Sequence, residues 1–277
     1  MDKKYYLNLI KIALKEDLGN TGDITTDAIF KNNDKIETFK LIAKENGILC
    51  GKDVFIDVFK TIDKKCEVEF YFNDKDSIKK GDIIARVRGR VSSILKGERT
   101  ALNFISHLSG IATKTSLFVH KANGKVKILD TRKTIPGLRY LQKYAVLCGG
   151  GTNHRIGLFD MVLIKDNHID AAGSITEAVN LVRKKWGSRY KIEVETRNLE
   201  EVKEALRLNV DRIMLDNMDI ETIKEAIKII NKKSETEVSG NMTIDKIEEM
   251  AEAGVDFISF GELTHTIKVF DFSLKKE

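Results

Sequence analysis

The segment 161-MVLIKDNHIDAAGSITEAVNLVRKKWGSRYKIEVE-195 changes its hydrophobic period twice. It opens on an apolar run ending at Lys165. It then takes up a helical pattern (Ile175, Ala178, Val179, Val182) behind a Ser174-x-x-Glu177 capping box, and closes on a second apolar run ending at Glu195. Short, continuously apolar runs are what strands buried on both faces look like, so this reads as a βαβ unit with parallel strands. The unit recurs in both directions. 126-VKILD-130 precedes it, and 212-RIMLD-216, a run reaching Ser239 and 257-FISFG-261 follow. Helical patterns alternate with them at Ile220, Ile223, Ile227 and Ile230, and at Ile244, Ile247 and Ala251. Six such strands predict an incomplete α/β barrel of the TIM kind. A doubly wound open sheet is the structural rival, but no G-x-G-x-x-G follows a strand.

Residues before about 100 read differently. Short β-rich runs (36-IETFKLIA-43, 67-EVEFYF-72, 83-IIARVRGRV-91) follow a first amphipathic helix marked by Tyr6, Leu9, Ile10 and Ala13. A long helical stripe (Ala101, Phe104, Ile105, Leu108, Ile111, Ala112) then leads into the repeats with no linker-like composition. The division expected is a small α+β domain over 1–110 and a barrel over 111–265.

Composition excludes several classes. Lys plus Arg is 47 against 42 Asp plus Glu, and an excess of +5 over 277 residues is too dilute for a polyanion binder. No nucleic-acid partner is expected. No apolar run approaches 18 residues, so no membrane span is expected, and the N-terminus lacks a signal-peptide pattern. Cys50, Cys66 and Cys148 are odd in number, far apart and outside any C-x-x-C. They read as thiols of a reducing cytosol rather than a disulfide framework or structural zinc site. The run 74-DKDSIKKGD-82 reads as a solvated turn. The single proline, Pro136, stands where average usage would give about 14. It is expected to fix the turn after Arg132-Lys133.

The chemistry collects at strand ends, which in such barrels converge on one mouth. They supply Arg132 and Lys133, then Lys165, Glu195, Asp216, Ser239-Gly240 and Gly261. Cations at the first two ends suit an anionic ligand. Carboxylates at the next two suit ribose hydroxyls, hydrated magnesium or a developing cation. Ser and Gly at the last two suit a phosphate held on backbone amides. The glycine run 149-GGGTNHRIG-157 adds His154 and Arg155 as donors. His168 is a candidate supporting partner, whereas His107, His120 and His265 read as structural.

Several ordered blocks are more specific than any single motif: 16-EDLGNTGDITT-26, 98-ERTALNFISHLSGIAT-113, 130-DTRKTIPGLR-139, 149-GGGTNHRIGLFDMVLIKDNHI-169, 193-EVE-195, 213-IMLDNM-218, 238-VSG-240 and 254-GVDFISFGELTH-265. With them the chain resembles the quinolinate phosphoribosyltransferase family. The resemblance implies an N-terminal α/β sandwich, with the tail 266–277 packing back on it, plus an incomplete barrel. It also implies a pentosyltransferase of de novo NAD biosynthesis in the cytoplasm. Quinolinate and phosphoribosyl pyrophosphate would give nicotinate mononucleotide, pyrophosphate and carbon dioxide, with magnesium. It implies a head-to-tail homodimer in which Arg99 is donated across the interface to a quinolinate carboxylate. Arg132, His154 and Arg155 resemble the other dicarboxylate contacts, and Lys133 and Lys165 the lysines between quinolinate and the sugar pyrophosphate. Glu195 and Asp216 resemble the acidic pair near ribose and the magnesium shell, and Ser239, Gly240 and Gly261 the 5-phosphate cradle. The family commonly has glycine where this chain has Asn241. Two other readings are a molybdenum-transport-associated relative of the same fold and a barrel aldolase using Lys165 as its Schiff-base amine.

Overall fold

Alternation of buried and exposed residues builds the first sheet. In β1 (Ile36–Ala43) Phe39, Leu41 and Ala43 face inward, and the same alternation recurs in part along the chain. The remaining strands are β2 (Gly47–Ile48), β3 (Glu67–Phe70), β4 (Ser77–Ile78), β5 (Ile83–Arg90), β6 (Lys127–Leu129), β7 (Val162–Ile164), β8 (Ile192–Thr196), β9 (Arg212–Asp216), β10 (Glu235–Ser239), β11 (Phe257–Ser259) and β12 (Phe272–Lys276). The computed structural model describes residues 2–277.

The chain divides into two compact units. The first comprises the chain up to Ser116 together with Thr134–Gly150 and Leu263–Glu277; the second comprises Leu117–Lys133 and Gly151–Glu262. The first unit holds an antiparallel sheet of order β12-β1-β5-β3. Its core is the sheet's apolar face with Val54, Phe55, Val58 and Phe59 of the helix Lys52–Ile62 and Ile10 and Leu14 of the helix Leu7–Leu18. Tyr6 is fully buried, and its hydroxyl donates to Asp57 at 2.8 Å, which satisfies both groups. The C-terminal strand β12 pairs with β1 from Phe39↔Lys276 to Ala43↔Phe272.

This division is not the linear one drawn from sequence. The boundary falls inside a single 32-residue helix, Val91–Ala122. Thr134–Gly150, read as part of the barrel domain, clusters with the first unit. The reason is polar as well as apolar. In the helix Arg139–Cys148, Leu141, Ala145 and Val146 are buried, and the Gln142 amide donates to the Thr264 carbonyl and meets His107 Nε2. Ahead of that helix, Pro136 and Gly137 occupy the centre of a tight turn. Leu138 N donates to Ile135 O at 3.1 Å, and Gly137 has φ +82°. This is the type II arrangement, with proline first and glycine second.

The second unit is a parallel sheet of six strands, order β6-β11-β10-β9-β8-β7. In chain order that is an uninterrupted ring, open only between its first two strands. β6 is extended past its end by a lone parallel bridge, Leu129↔Thr152. The connections carry the caps that the sequence needs. Ser174 accepts from Glu177 N, Asn198 from Glu201 N and Asp219 from Thr222 N, each opening a helix. Among the described residues no helix is long and apolar enough to cross a membrane.

Candidate active site

Parallel strands expose every second side chain to the same side, and in the second unit that side is one cavity of about 690 Å³. β7 contributes Leu163 and then Lys165, β8 Glu195, β9 Met214 and Asp216, β10 Glu237 and Ser239, and β11 Ser259. Arg132, Lys133, His154, Arg155 and Gly240 complete the expected set that lines it. Nine of the eleven residues singled out by sequence therefore meet at one mouth. Gly261 lies at the turn into the short helix Glu262–His265, outside the lining. Arg99 belongs to the first unit, where its exposed side chain lines a cavity with Glu16 and Asp17.

The lining is strongly charged and its charges are interlocked. Lys165 Nζ sits 2.5 Å from Glu195 Oε2, with Glu195 nearly buried and Lys165 44% exposed. Burial, reinforced by the charge of Glu195, holds the Asp216 carboxyl above its ordinary range. Burial and the nearby Arg132 cation lower Arg155. In each like-charge pair one ionised member, Asp216 beside Glu195 and Arg155 beside Arg132, is thus disfavoured. An anionic ligand on the arginine side and a cation on the carboxylate side relieve both.

His154 is held from three directions. Its backbone N–H donates to Asp130 Oδ1 at 2.8 Å, and its Nδ1 accepts the Arg155 amide at 2.7 Å. A neutral ring that accepts at Nδ1 carries its proton on Nε2, which lies 3.0 Å from Glu193 Oε2. Through Nδ1 the ring thus fixes the backbone that presents Arg155. His168 plays a comparable part, since its Nδ1 accepts the amide of Lys165 at 2.9 Å.

Beneath the mouth lies an ionic layer that sequence reading missed. Glu193 and Glu237 are completely buried, and burial pushes each carboxyl up to about 7. Arg212 lies between the strands carrying them, 3.0 Å from Glu237 and 3.1 Å from Glu235, with its guanidinium over the Phe257 ring at 3.9 Å. A signal was present in the period of two. Glu193 stands two residues before Glu195, Arg212 four before Asp216, and Glu237 two before Ser239, so each shares a face with a residue already singled out.

At the other end of the mouth the backbone turns left-handed. Gly240 has φ +86°, and a Cβ there would run into the Asn217 side chain. Asn241 has φ +47°, a conformation that Asn adopts more readily than most residues. Its amide donates to Asn217 Oδ1 at 3.2 Å, and Asn217 in turn donates to Asp216 at 2.7 Å. The departure from glycine at position 241 is thus absorbed by backbone geometry and a short amide chain to Asp216.

Known proteins agree with this architecture over the whole chain. The family described as "Quinolinate phosphoribosyl transferase, N-terminal domain" matches residues 23–109, and its C-terminal domain matches residues 111–275. The chain is 45% identical over 285 residues to the chloroplastic nicotinate-nucleotide pyrophosphorylase [carboxylating] of Arabidopsis thaliana, covering 96% of this chain and 81% of that protein. It is 41% identical to the probable nicotinate-nucleotide pyrophosphorylase [carboxylating] of Bacillus subtilis, covering 94% and 89%. The crystal structure of NadC from Streptococcus pyogenes superposes with a TM-score of 0.95 at 40% identity, covering 100% and 99%. With both halves matched in order, the chain belongs to the quinolinate phosphoribosyltransferase family.

Proposed function

We propose that the chain transfers phosphoribosyl from phosphoribosyl pyrophosphate to quinolinate with decarboxylation, giving nicotinate mononucleotide, carbon dioxide and pyrophosphate. The observation that carries this reading is the single mouth. Two arginines, two lysines, three carboxylates and a serine–glycine turn line one cavity of about 690 Å³. That set matches a dianionic aromatic acid beside a phosphorylated sugar. Arg132 and Arg155 bind the two quinolinate carboxylates, and His154 holds Arg155 in place. Ser239-Gly240, with Gly261 at the turn that follows the neighbouring strand β11, takes the 5-phosphate on backbone amides. Lys133 and Lys165 take the pyrophosphate.

No protein nucleophile is needed. The pyridine nitrogen attacks C1 of the ribose as the bond to pyrophosphate loosens. Glu195 and Asp216 hold the ribose hydroxyls and favour the positive charge growing at C1. Once the nitrogen is quaternary, the bond to the adjacent carboxylate breaks. Its electron pair stays on the ring carbon beside the cationic nitrogen, and that carbon then takes a proton. Magnesium fits the same two carboxylates as an outer shell, because they are hard oxygen donors and the charge of Glu195 already disfavours an ionised Asp216. When bound it neutralises charge on the pyrophosphate oxygens.

The Schiff-base reading of Lys165 needs a desolvated neutral amine. Here the amine is ion-paired to Glu195 and 44% exposed. A cytoplasmic location fits three buried thiols with no disulfide among them. A homodimer that shares its sites through Arg99 fits an exposed guanidinium that makes no hydrogen bond or ion pair among the described residues. The function is tested by offering quinolinate, nicotinate and nicotinamide separately with phosphoribosyl pyrophosphate and magnesium. Mononucleotide formed from quinolinate, with release of carbon dioxide, is the expected result. Turnover of nicotinate or nicotinamide in preference to quinolinate would overturn the assignment.

A further inference from the structure

Among residues that do not line the phosphoribosyl cavity, three metal-ligating side chains converge. Cys50, Asp74 and Cys148 each place one donor atom within 4.8 Å of the other two. They come from three separate segments of the first unit. Cys50 lies just before the helix Lys52–Ile62, Asp74 lies in the turn between β3 and β4, and Cys148 ends the helix Arg139–Cys148. Both thiols are buried, at 0% and 5% exposure, and Asp74 is half-buried. Asp74 is therefore not part of a fully solvated turn, as the run 74–82 suggested.

The donors are held in place. The Cys50 amide donates to Ser109 Oγ at 3.0 Å, and Ser109 donates back to the Cys50 carbonyl at 3.1 Å. Asp74 Oδ1 accepts the amides of Gly51 and Lys52, both at 3.0 Å. Its Oδ2 accepts the Tyr144 hydroxyl at 2.8 Å, one helical turn before Cys148. A carboxylate offers about four acceptor positions, so three bonds leave one on Oδ2. Thiols serving only as core filling gain nothing from a carboxylate beside them. A bound cation draws all three together, since its charge favours two thiolates and a carboxylate in one place.

We propose that Cys50, Cys148 and Asp74 form a structural site for a soft divalent cation of the zinc class, with Tyr144 orienting the carboxylate. Two sulfurs and one oxygen select a borderline-soft ion over magnesium. Zinc–sulfur bonds of ~2.3 Å and a zinc–oxygen bond of ~2.0 Å place tetrahedral ligands ~3.5–3.8 Å apart, so donors now within 4.8 Å of one another have to close by at most ~1.3 Å. None of these residues lines the phosphoribosyl cavity, so the site is independent of the transfer reaction. A C-x-x-C search does not find it because its ligands are 24 and 74 residues apart in sequence.

The test uses the full chain, reduced and stripped with a chelator, titrated with cobalt(II) alone and then with zinc(II). One cobalt per chain with thiolate charge-transfer absorption, displaced by one equivalent of zinc, is expected. C66S keeps this signal, C50S and C148S each lose at least tenfold in affinity, and Y144F loses about tenfold or more. X-ray absorption of the zinc-loaded wild type reads the ligands without any variant, and two sulfur scatterers are expected. No thiolate absorption at equimolar cobalt, undiminished affinity in C50S and C148S, or a zinc shell of nitrogen and oxygen alone would each overturn the proposal. So would a chain that takes up no zinc and instead forms a Cys50–Cys148 disulfide in air.

Discussion

Gly240 and Asn241 look interchangeable in a glycine-rich cradle, yet the backbone separates them. At Gly240 (φ +86°) a side chain meets both an unfavourable conformation and the Asn217 amide. Gly240→Ala is expected to displace Asn217 and raise the KM for phosphoribosyl pyrophosphate about tenfold, or ~1.4 kcal/mol. At Asn241 (φ +47°) the native residue already tolerates the left-handed region. Asn241→Gly gives up a 3.2 Å hydrogen bond but keeps the turn, so KM should stay within about threefold and stability within ~1 kcal/mol. Steady-state kinetics and thermal melts of the two variants check this, and equal losses in both would refute the geometric distinction. Lys133 belongs to another class of effect. If it stabilises the departing pyrophosphate, Lys133→Ala should lower kcat about a hundredfold while quinolinate binding by calorimetry changes little. Unchanged turnover removes it from the reaction.

At the scale of the strand, the six apolar runs were legible because a strand buried on both faces needs continuous hydrophobicity, and each run formed where its residues predicted. The residues ending them were legible for the same reason, since a polar side chain can stand only where the strand leaves the core. Glu193, Arg212 and Glu237 were not, because a charge inside an apolar run looks like an interruption until its partners on neighbouring strands are known. β8, β9 and β10 supply those partners in register, with Glu193 opposite Arg212 and Glu237 opposite Met214. This layer has a consequence for pH. Glu237 titrates at about 7 in the folded chain against about 4.3 when unfolded. A raised carboxyl favours the folded state below the lower value, and that advantage is lost as pH rises through the higher one. Glu237→Gln cannot ionise. Its stability relative to wild type should therefore increase between pH 5 and pH 8, by up to about 3 kcal/mol. Denaturant melts of both proteins at the two pH values measure the difference, and a gap that is flat or shrinks with pH contradicts the buried-pair reading.

Over the whole molecule, the sequence suggests a single cut near residue 110, whereas compactness gathers five stretches of chain into two units. A helix of 32 residues carries the chain from the first unit into the second, and Thr134–Gly150 returns to the first between β6 and β7. That return is illegible in sequence because the helix Arg139–Cys148 has the same apolar pattern as the barrel helices, and only its partners distinguish it. Arg99 follows from the same organisation. It is an exposed cation of the first unit, beside Glu16 and Asp17, whereas the arginines and lysines of the mouth all belong to the second unit. If a second copy of the chain uses Arg99 to complete the mouth, then removing Arg99 disables the partner's site and removing Lys165 disables the chain's own. Arg99→Ala and Lys165→Ala homodimers should each lose nearly all turnover. When the two are unfolded together and refolded, half of the dimers are mixed by random pairing. Each mixed dimer carries one mouth that lacks neither residue and one that lacks both. Recovery of about a quarter of the wild-type kcat per total chain, with wild-type KM for quinolinate, is the expected result. Mixtures no more active than the separate variants would mean that Arg99 serves its own chain or none.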